Sequence, residues 1–344
     1  MPPECQPRAT TRLTATADFW ADKRVFITGA TGFLGSWMVQ ELNRRGATTI
    51  GYVRDGGWHI SRRDDPATEP QFIVAGALED YERVLRAINE HQADTVFHLG
   101  AQPIVGTANH NPRSTFETNI RGTWNVLDAC RELGRQIQRV VVASSDKAYG
   151  SSLVPPHDET MPLNGRHPYD VSKSCADLIA QTYHHSYGLP VCITRAGNFY
   201  GGRDLNFNRI VPGVARWAIN GERPILRSDG SMIRDYTYVR DGVLAYLTLA
   251  EKMQDPALHG HAFNFSTERP LSVIGLVRRI LAAAGREDLE PIVLGEATNE
   301  NPEQHLSAAK AHRLLGWAPA YTLEAALGET LAWYRDWLAR QKAA

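Results

Sequence analysis

The chain has 344 residues, with 37 Lys and Arg against 38 Asp and Glu, a formal net charge of −1. That length exceeds a usual single core and predicts one large domain with an appended lobe, or two domains. A near-neutral balance without long runs of either sign argues against a nucleic-acid or anionic-membrane surface, and leaves room only for a local phosphate-gripping patch.

Residues 1–18 are polar and loop-like, without the apolar segment of a signal peptide, and are expected to be a flexible N-terminal segment. No run has the length to span a bilayer, so a cytoplasmic protein is expected. Cys5, Cys130, Cys175 and Cys192 show no paired metal spacing; free thiols and no metal site are expected.

The first strand is expected at Lys23–Thr28. Gly29-Ala30-Thr31-Gly32-Phe33-Leu34-Gly35 follows, and then a helical pattern from Trp37 to Asn43. Glycines at this spacing between strand and helix let the backbone approach a pyrophosphate at the helix N-terminus. The stretch Gly29 to Gly35 therefore predicts a dinucleotide site. The next strand, Thr48–Val53, ends in Arg54-Asp55. An acid there suits the ribose hydroxyls of NAD, whereas an arginine suits the 2′-phosphate of NADP or stacks on adenine. Both cofactors stay open.

A polar loop from Gly56 to Pro70 leads to a strand at Phe72–Val74 and a helix at Tyr81–Asn89. The strand beginning at Thr95 is apolar enough to be central, and it runs into His98, Leu99, Gly100 and Ala101. His98 reads as a hydrogen-bonded core histidine, while Leu99, Gly100 and Ala101 suit close passage of the cofactor. A long helix is expected from Asn109 through Cys130. Asn119 within it is expected to bond neighbouring chain or water.

Val140–Ala143 is a strand that delivers Ser144-Ser145-Asp146-Lys147-Ala148-Tyr149-Gly150, and Tyr169 opens a helix through Tyr183. Tyr169 and Lys173, four apart, share one helical face. An ammonium nearby favours a phenolate, so Ser145, Tyr169 and Lys173 together can take a proton from an alcohol as its carbon is oxidised. Strand–helix alternation predicts an α/β fold, a parallel sheet covered on both faces with ligands at the carboxyl ends of the strands.

Beyond the strand Val191–Arg195 the pattern changes. A helix to Asn220, short strands at Pro224–Leu226 and Arg234–Val239, and helices at 271–284, 308–315 and 323–338 interleave with polar loops, as a substrate lobe would. The division is read as residues 19–198, mainly cofactor domain, and 199–344, mainly substrate lobe, with segments interleaved. Arg209 and Arg234 are placed on phosphates, which planar guanidinium groups match.

These motifs resemble the extended short-chain dehydrogenase/reductase family of nucleotide-sugar epimerases and dehydratases over about residues 22 to 340. Beyond the glycine fingerprint, the matching features include His98 to Gln102, Asn119 to Thr123, Tyr169 with Lys173, Arg195 to Asn198, Arg234-Asp235-Tyr236 and Leu314 to Trp317. The resemblance implies a Rossmann-type cofactor domain, a smaller mixed C-terminal lobe for a nucleotide sugar, and a homodimer. It implies nucleotide-sugar contacts at Gln102, Asn198, Arg209 and Arg234.

Ser145-Asp146-Lys147 is similar to the triplet of the CDP-glucose 4,6-dehydratases, as are the segments Gly197 to Gly202 and Asp204 to Gly213. The resemblance then implies Asp146 as the acid at the C6 hydroxyl and Lys147 as the base at C5, with CDP-glucose preferred. Ala77 stands where the family usually carries an acid, and Tyr149-Gly150 is equally at home in epimerases. An NAD-dependent 4-epimerase is the first alternative and a non-catalytic NAD(P)-binding protein the second.

Overall fold

The computed structural model describes residues 19–54, 65–151, 154–296 and 301–343. Residues 1–18, with Cys5, and Asp55 with most of the polar loop after it lie outside the described residues.

Strands β1 (Arg24–Thr28), β2 (Thr48–Val53), β3 (Phe72–Ala75), β4 (Thr95–His98), β5 (Arg139–Ala143) and β6 (Val191–Ala196) form a parallel sheet. Its order is 3-2-1-4-5-6, and the strand Ala262–Phe265 completes it beyond β6. Side chains alternate between the faces, as strand geometry requires. Val25, Ile27, Phe97 and Val141 face the helices Phe33–Arg44 and Val239–Lys252. Phe26, Val96, Val140 and Val142 face Tyr81–Glu90, Gly122–Leu133 and Pro168–Tyr187. A third core, from Val214, Leu276, Ile280, Leu327 and Tyr334, belongs to the helices Ile210–Asn220, Val273–Ala284 and Leu323–Ala343.

Register fixes where the loops open. Thr28 lies level with His98, His98 with Val142, and Ala143 with Thr194. The loops after β1, β4, β5 and β6 therefore leave the sheet at one edge, around the point where strand order reverses.

Two expectations change. The long helix through Cys130 is broken: Asn111 accepts a bond from Ser114 N at 3.1 Å as an N-cap and Pro112 starts a new turn. A π-turn at Glu117–Arg121 then precedes Gly122–Leu133. Val239 begins a helix rather than ending a strand, and that helix and the strand Ala262–Phe265 both pack into the sheet domain. The chain thus enters the C-terminal lobe, returns to the sheet, and leaves again. Cys130, Cys175 and Cys192 are free thiols, and no metal-binding cluster occurs among the described residues.

Candidate active site

Along this edge runs a cleft of about 680 Å³. Its first wall is the turn after β1. Gly29 adopts φ +69°, and a side chain there would meet Gly100 Cα at 2.9 Å. A Cβ on Gly35 would lie 2.2 Å from Gly29 O. Neither site has room for one, so glycine alone fits. The helix begins at Phe33 with Gly32 as N-cap and no side-chain cap, leaving its N-terminal N–H groups to the cleft. Thr31, Gly32, Phe33, Leu34, Gly35, Arg54, Leu99, Gly100 and Ala101 all line it, as does Gly29.

Thr28 braces the opposite loop. Its Oγ1 bonds His98 Nδ1 at 2.9 Å and accepts from Gly100 N at 2.9 Å. His98 Nε2 meets Thr123 Oγ1 at 3.0 Å, and burial first, then the Lys173 charge, push its pKa down to about 3. It is the neutral core histidine expected from sequence. This uncapped helix start beside a glycine-walled floor fits a dinucleotide.

The central part of the cleft holds Ser145, Asp146, Lys147, Tyr169 and Lys173 together. Ser145 caps a short turn, accepting from Lys147 N at 3.2 Å and donating to Asp146 Oδ1 at 2.9 Å. Asp146 is only 5% exposed. Burial raises its pKa, against lowering by the Lys147 charge, the Ser145 hydroxyl and Arg234. A Cβ on Gly197 would crowd Asp235, at 3.0 Å from its Cβ, and would meet Asp146 Oδ2 at an ordinary contact distance of 3.6 Å.

Tyr169 stands at the start of the helix Pro168–Tyr187, with Pro168 in the first turn where no N–H is needed. Burial pushes its phenol up to about 12, and the Asp146 charge adds to this; the Ser145 hydrogen bond and Arg209 pull it down. The expected lowering by Lys173 gives way to these two. The Lys173 ammonium instead donates to Ala143 O at 2.8 Å, and burial brings it down to about 8.

Residues that the motifs did not place in the site hold this cluster rigid. Ser174 Oγ donates to Ala148 O at 2.9 Å, tying the Tyr169 helix to the Ser145 turn. Asn119 Nδ2 donates to Ser172 Oγ at 2.9 Å and to Gln102 O at 3.1 Å. Behind the turn, Tyr149 OH donates to Asn264 Oδ1 at 2.8 Å and accepts from Arg195, itself paired with Asp177 at 2.8 Å.

On the far side, Asn198 and Arg209 line the cleft. Arg209 is held by Asp204 Oδ2 at 3.1 Å. Gln102 and Arg234 are not among the residues that line the cleft. Gln102 spends its amide on a local turn, donating to Thr115 Oγ1 at 3.1 Å and accepting from Ile104 N at 2.5 Å. Arg234, 8% exposed, donates to Ile233 O at 2.9 Å, and its charge acts on Asp146. Asn206 and Asn208 do line the cleft; the segment similar to the CDP-glucose group was the signal for them.

The GDP-mannose 4,6-dehydratase family profile matches residues 26–330. The chain belongs to that family. Within it, the chain is 32% identical to the CDP-glucose 4,6-dehydratase of Salmonella typhimurium, over 93% of each protein. Among solved structures it resembles the UDP-glucose 4-epimerase of Thermotoga maritima, at TM-score 0.82 and 26% identity over 92% of this chain and 99% of that one. It also resembles a dTDP-glucose 4,6-dehydratase from Streptomyces venezuelae with NAD bound, at TM-score 0.80 and 25% identity over 91% and 97%. Family membership makes it an enzyme scaffold of the extended short-chain dehydrogenase/reductase type, with the Rossmann-type sheet that its strand order displays.

Proposed function

We propose that this protein is a nucleotide-sugar 4,6-dehydratase that turns CDP-glucose into CDP-4-keto-6-deoxyglucose with NAD as a recycled cofactor. The observation that carries the reading is the buried Asp146 and the half-buried Lys147 beside Ser145 and Tyr169 in one cleft. An alcohol oxidation needs only the tyrosine; removing water from C5 and C6 needs a second acid and a second base.

The glycine-walled turn Gly29 to Gly35 would hold the pyrophosphate, with Arg54 near the adenosine end and Lys173 on the nicotinamide ribose. When bound, the nicotinamide ring accepts two electrons at C4 and returns them at C6. Ser145 orients the C4 hydroxyl, and Tyr169 takes its proton as C4 becomes a ketone. The ketone acidifies C5. Lys147 removes the C5 proton, Asp146 gives its proton to the C6 hydroxyl, and water leaves with the C5–C6 double bond formed. Reduction at C6 and return of a proton to C5 complete the product.

Burial favours the protonated Asp146 that this step requires. A neutral Asp146 also removes one of the charges that hold Tyr169 up, so the state that donates at C6 is the state that eases proton transfer at C4. Asn198 and Arg209 are the proposed nucleotide-sugar contacts on the wall, with Arg234 acting from behind it through charge.

We place the enzyme in the cytoplasm, supported by three free thiols, Cys130, Cys175 and Cys192. We further propose a homodimer through the helices Gly122–Leu133 and Pro168–Tyr187, whose outer faces leave Trp124, Leu178 and Tyr187 exposed.

The test is incubation with CDP-glucose beside UDP-, dTDP- and GDP-glucose. The expected product from CDP-glucose is lighter by one water and absorbs in alkali as a 4-keto sugar. A product of unchanged mass with inverted C4 makes the protein an epimerase and overturns the reading. Tight cofactor binding without turnover on any of the four would also overturn it.

A further inference from the structure

The strand Glu303–Gln304 lies in the C-terminal lobe, far along the chain from the glycine fingerprint and the Tyr169 helix. It pairs in parallel with Ile233–Arg234, and Gln304 stands level with Arg234. Gln304 is 1% exposed. The residues after it are fastened from two sides. His157 N donates to His305 O and Ser307 N to His157 O, each at 2.9 Å, and Leu306 N donates to Asp235 Oδ2 at 3.3 Å.

From this fixed frame the Gln304 carbonyl Oε1 accepts a hydrogen bond from Lys147 Nζ at 2.6 Å. An ammonium has only donors, so the carbonyl end must face it. The amide nitrogen is consequently turned away, and it has no hydrogen-bond partner among the described residues. A position needed for packing alone would be filled as well by an apolar side chain, without a buried unpaired donor. The carboxamide is kept for its carbonyl.

Lys147 has a flexible four-carbon stem, and its turn fixes only its backbone. The charged groups around it are Asp146 in its own turn, Asp170 on the Tyr169 helix, and, acting on Asp146, Arg234 and Asp235. A carboxylate in place of the carboxamide would add another negative charge at hydrogen-bond distance and hold Lys147 as a cation. A neutral acceptor aims the amine without that penalty on losing its proton.

We propose that Gln304 is a positioning residue that tethers Lys147 at the cleft through an uncharged acceptor, leaving the amine free to act as a base. This rests on the proposed role of Lys147 at C5.

The test uses Gln304→Glu, close in shape, and Gln304→Leu, which removes the tether. Lysine side-chain NMR would follow the Lys147 titration, its signal assigned with Lys147→Arg. The pH profiles of kcat and KM for water loss would be measured together with solvent deuterium uptake at C5. Gln304→Glu is expected to raise the Lys147 midpoint and move the acid limb of kcat to higher pH, with KM little changed. Gln304→Leu is expected to lower kcat and deuterium uptake roughly 10- to 100-fold, the scale of a misplaced reacting group.

An unmoved Lys147 midpoint in folded Gln304→Glu overturns the tether, as does an unchanged kcat in folded Gln304→Leu. If Gln304→Leu does not fold, the Gln304→Glu titration decides alone. A wild-type protein that loses no water from any nucleotide sugar refutes the dehydratase reading instead, and the titration still decides whether Gln304 governs Lys147.

Discussion

Replacing Asp146 by Asn separates the chemistry proposed at C6 from that at C4. Asn keeps an oxygen that can accept from Ser145 Oγ, now 2.9 Å from Asp146 Oδ1, so the turn should hold its shape. It cannot donate an acidic proton to the leaving hydroxyl. Loss of a general acid costs about 10²- to 10⁴-fold, or about 3 to 6 kcal/mol on the elimination barrier at about 1.4 kcal/mol per tenfold. The oxidation at C4 should survive, because the charge of Asp146 is among the groups that raise the Tyr169 phenol. Single-turnover mixing with CDP-glucose should show nicotinamide reduction at near the wild-type rate, followed by a stall with reduced cofactor. Mass spectrometry should find little water loss over the same time. The reasoning is refuted if water loss keeps its rate, or if reduction at C4 slows as much as elimination.

Asp235 supplies a pH test. Burial lifts its pKa from 3.8 to about 6, so the stability it contributes is full below its unfolded value and is lost as pH rises through about 6. The span, 6 − 3.8 = 2.2, sets the effect at no more than about 3 kcal/mol. Thermal melts of Asp235→Asn should gain on wild type across that window, and parallel curves would contradict the assignment. Gly35→Ala places a Cβ 2.2 Å from Gly29 O, a backbone atom that cannot rotate away. It should lose about 1 to 3 kcal/mol of stability and most of its NAD affinity by calorimetry; wild-type affinity would show that the turn is not the pyrophosphate seat. Asp177→Ala leaves buried Arg195 without the carboxylate now at 2.8 Å, which should cost about 3 to 5 kcal/mol in denaturant melts. Asp177→Leu with Arg195→Met should recover much of this, and a loss under about 1 kcal/mol for Asp177→Ala would mean that the pair is weakly coupled.

The cofactor half was readable from sequence because its signals are local. The strand Thr48–Val53 ends where β-branched and apolar residues end, and the glycines Gly29, Gly32 and Gly35 are spaced by the turn they build. His98 was readable because a lone histidine ending an apolar strand is buried and needs hydrogen-bond partners, although the two it finds, Thr28 and Thr123, come from distant parts of the chain. The C-terminal lobe is governed by distant packing. Nothing local marks Ala262–Phe265 as the last strand of a sheet that begins at Arg24, because its pairing with β6 is decided by helices on both sides. Gln102 and Arg234 lie off the cleft lining for one reason. A motif gives the residue type and spacing, but rotamer and local hydrogen bonds decide whether a side chain reaches the cleft. Gln304 carries no motif at all, and only the pairing of Glu303–Gln304 with Ile233–Arg234 brings it to Lys147.

The return of the chain to the sheet at Ala262–Phe265 has a consequence for how substrate choice can change. The two halves are woven rather than joined end to end, so there is no single hinge at which one lobe could be exchanged for a relative's. A cut after Asn198 would strip the sheet of its outer strand and of the helix Val239–Lys252 that covers it. If the cleft takes the nucleotide sugar as proposed, new preferences are expected to arise by substitution within its lining, where Asn206, Asn208 and Arg209 stand. Engineers who wish to redirect the enzyme would do better to vary these side chains than to graft a lobe.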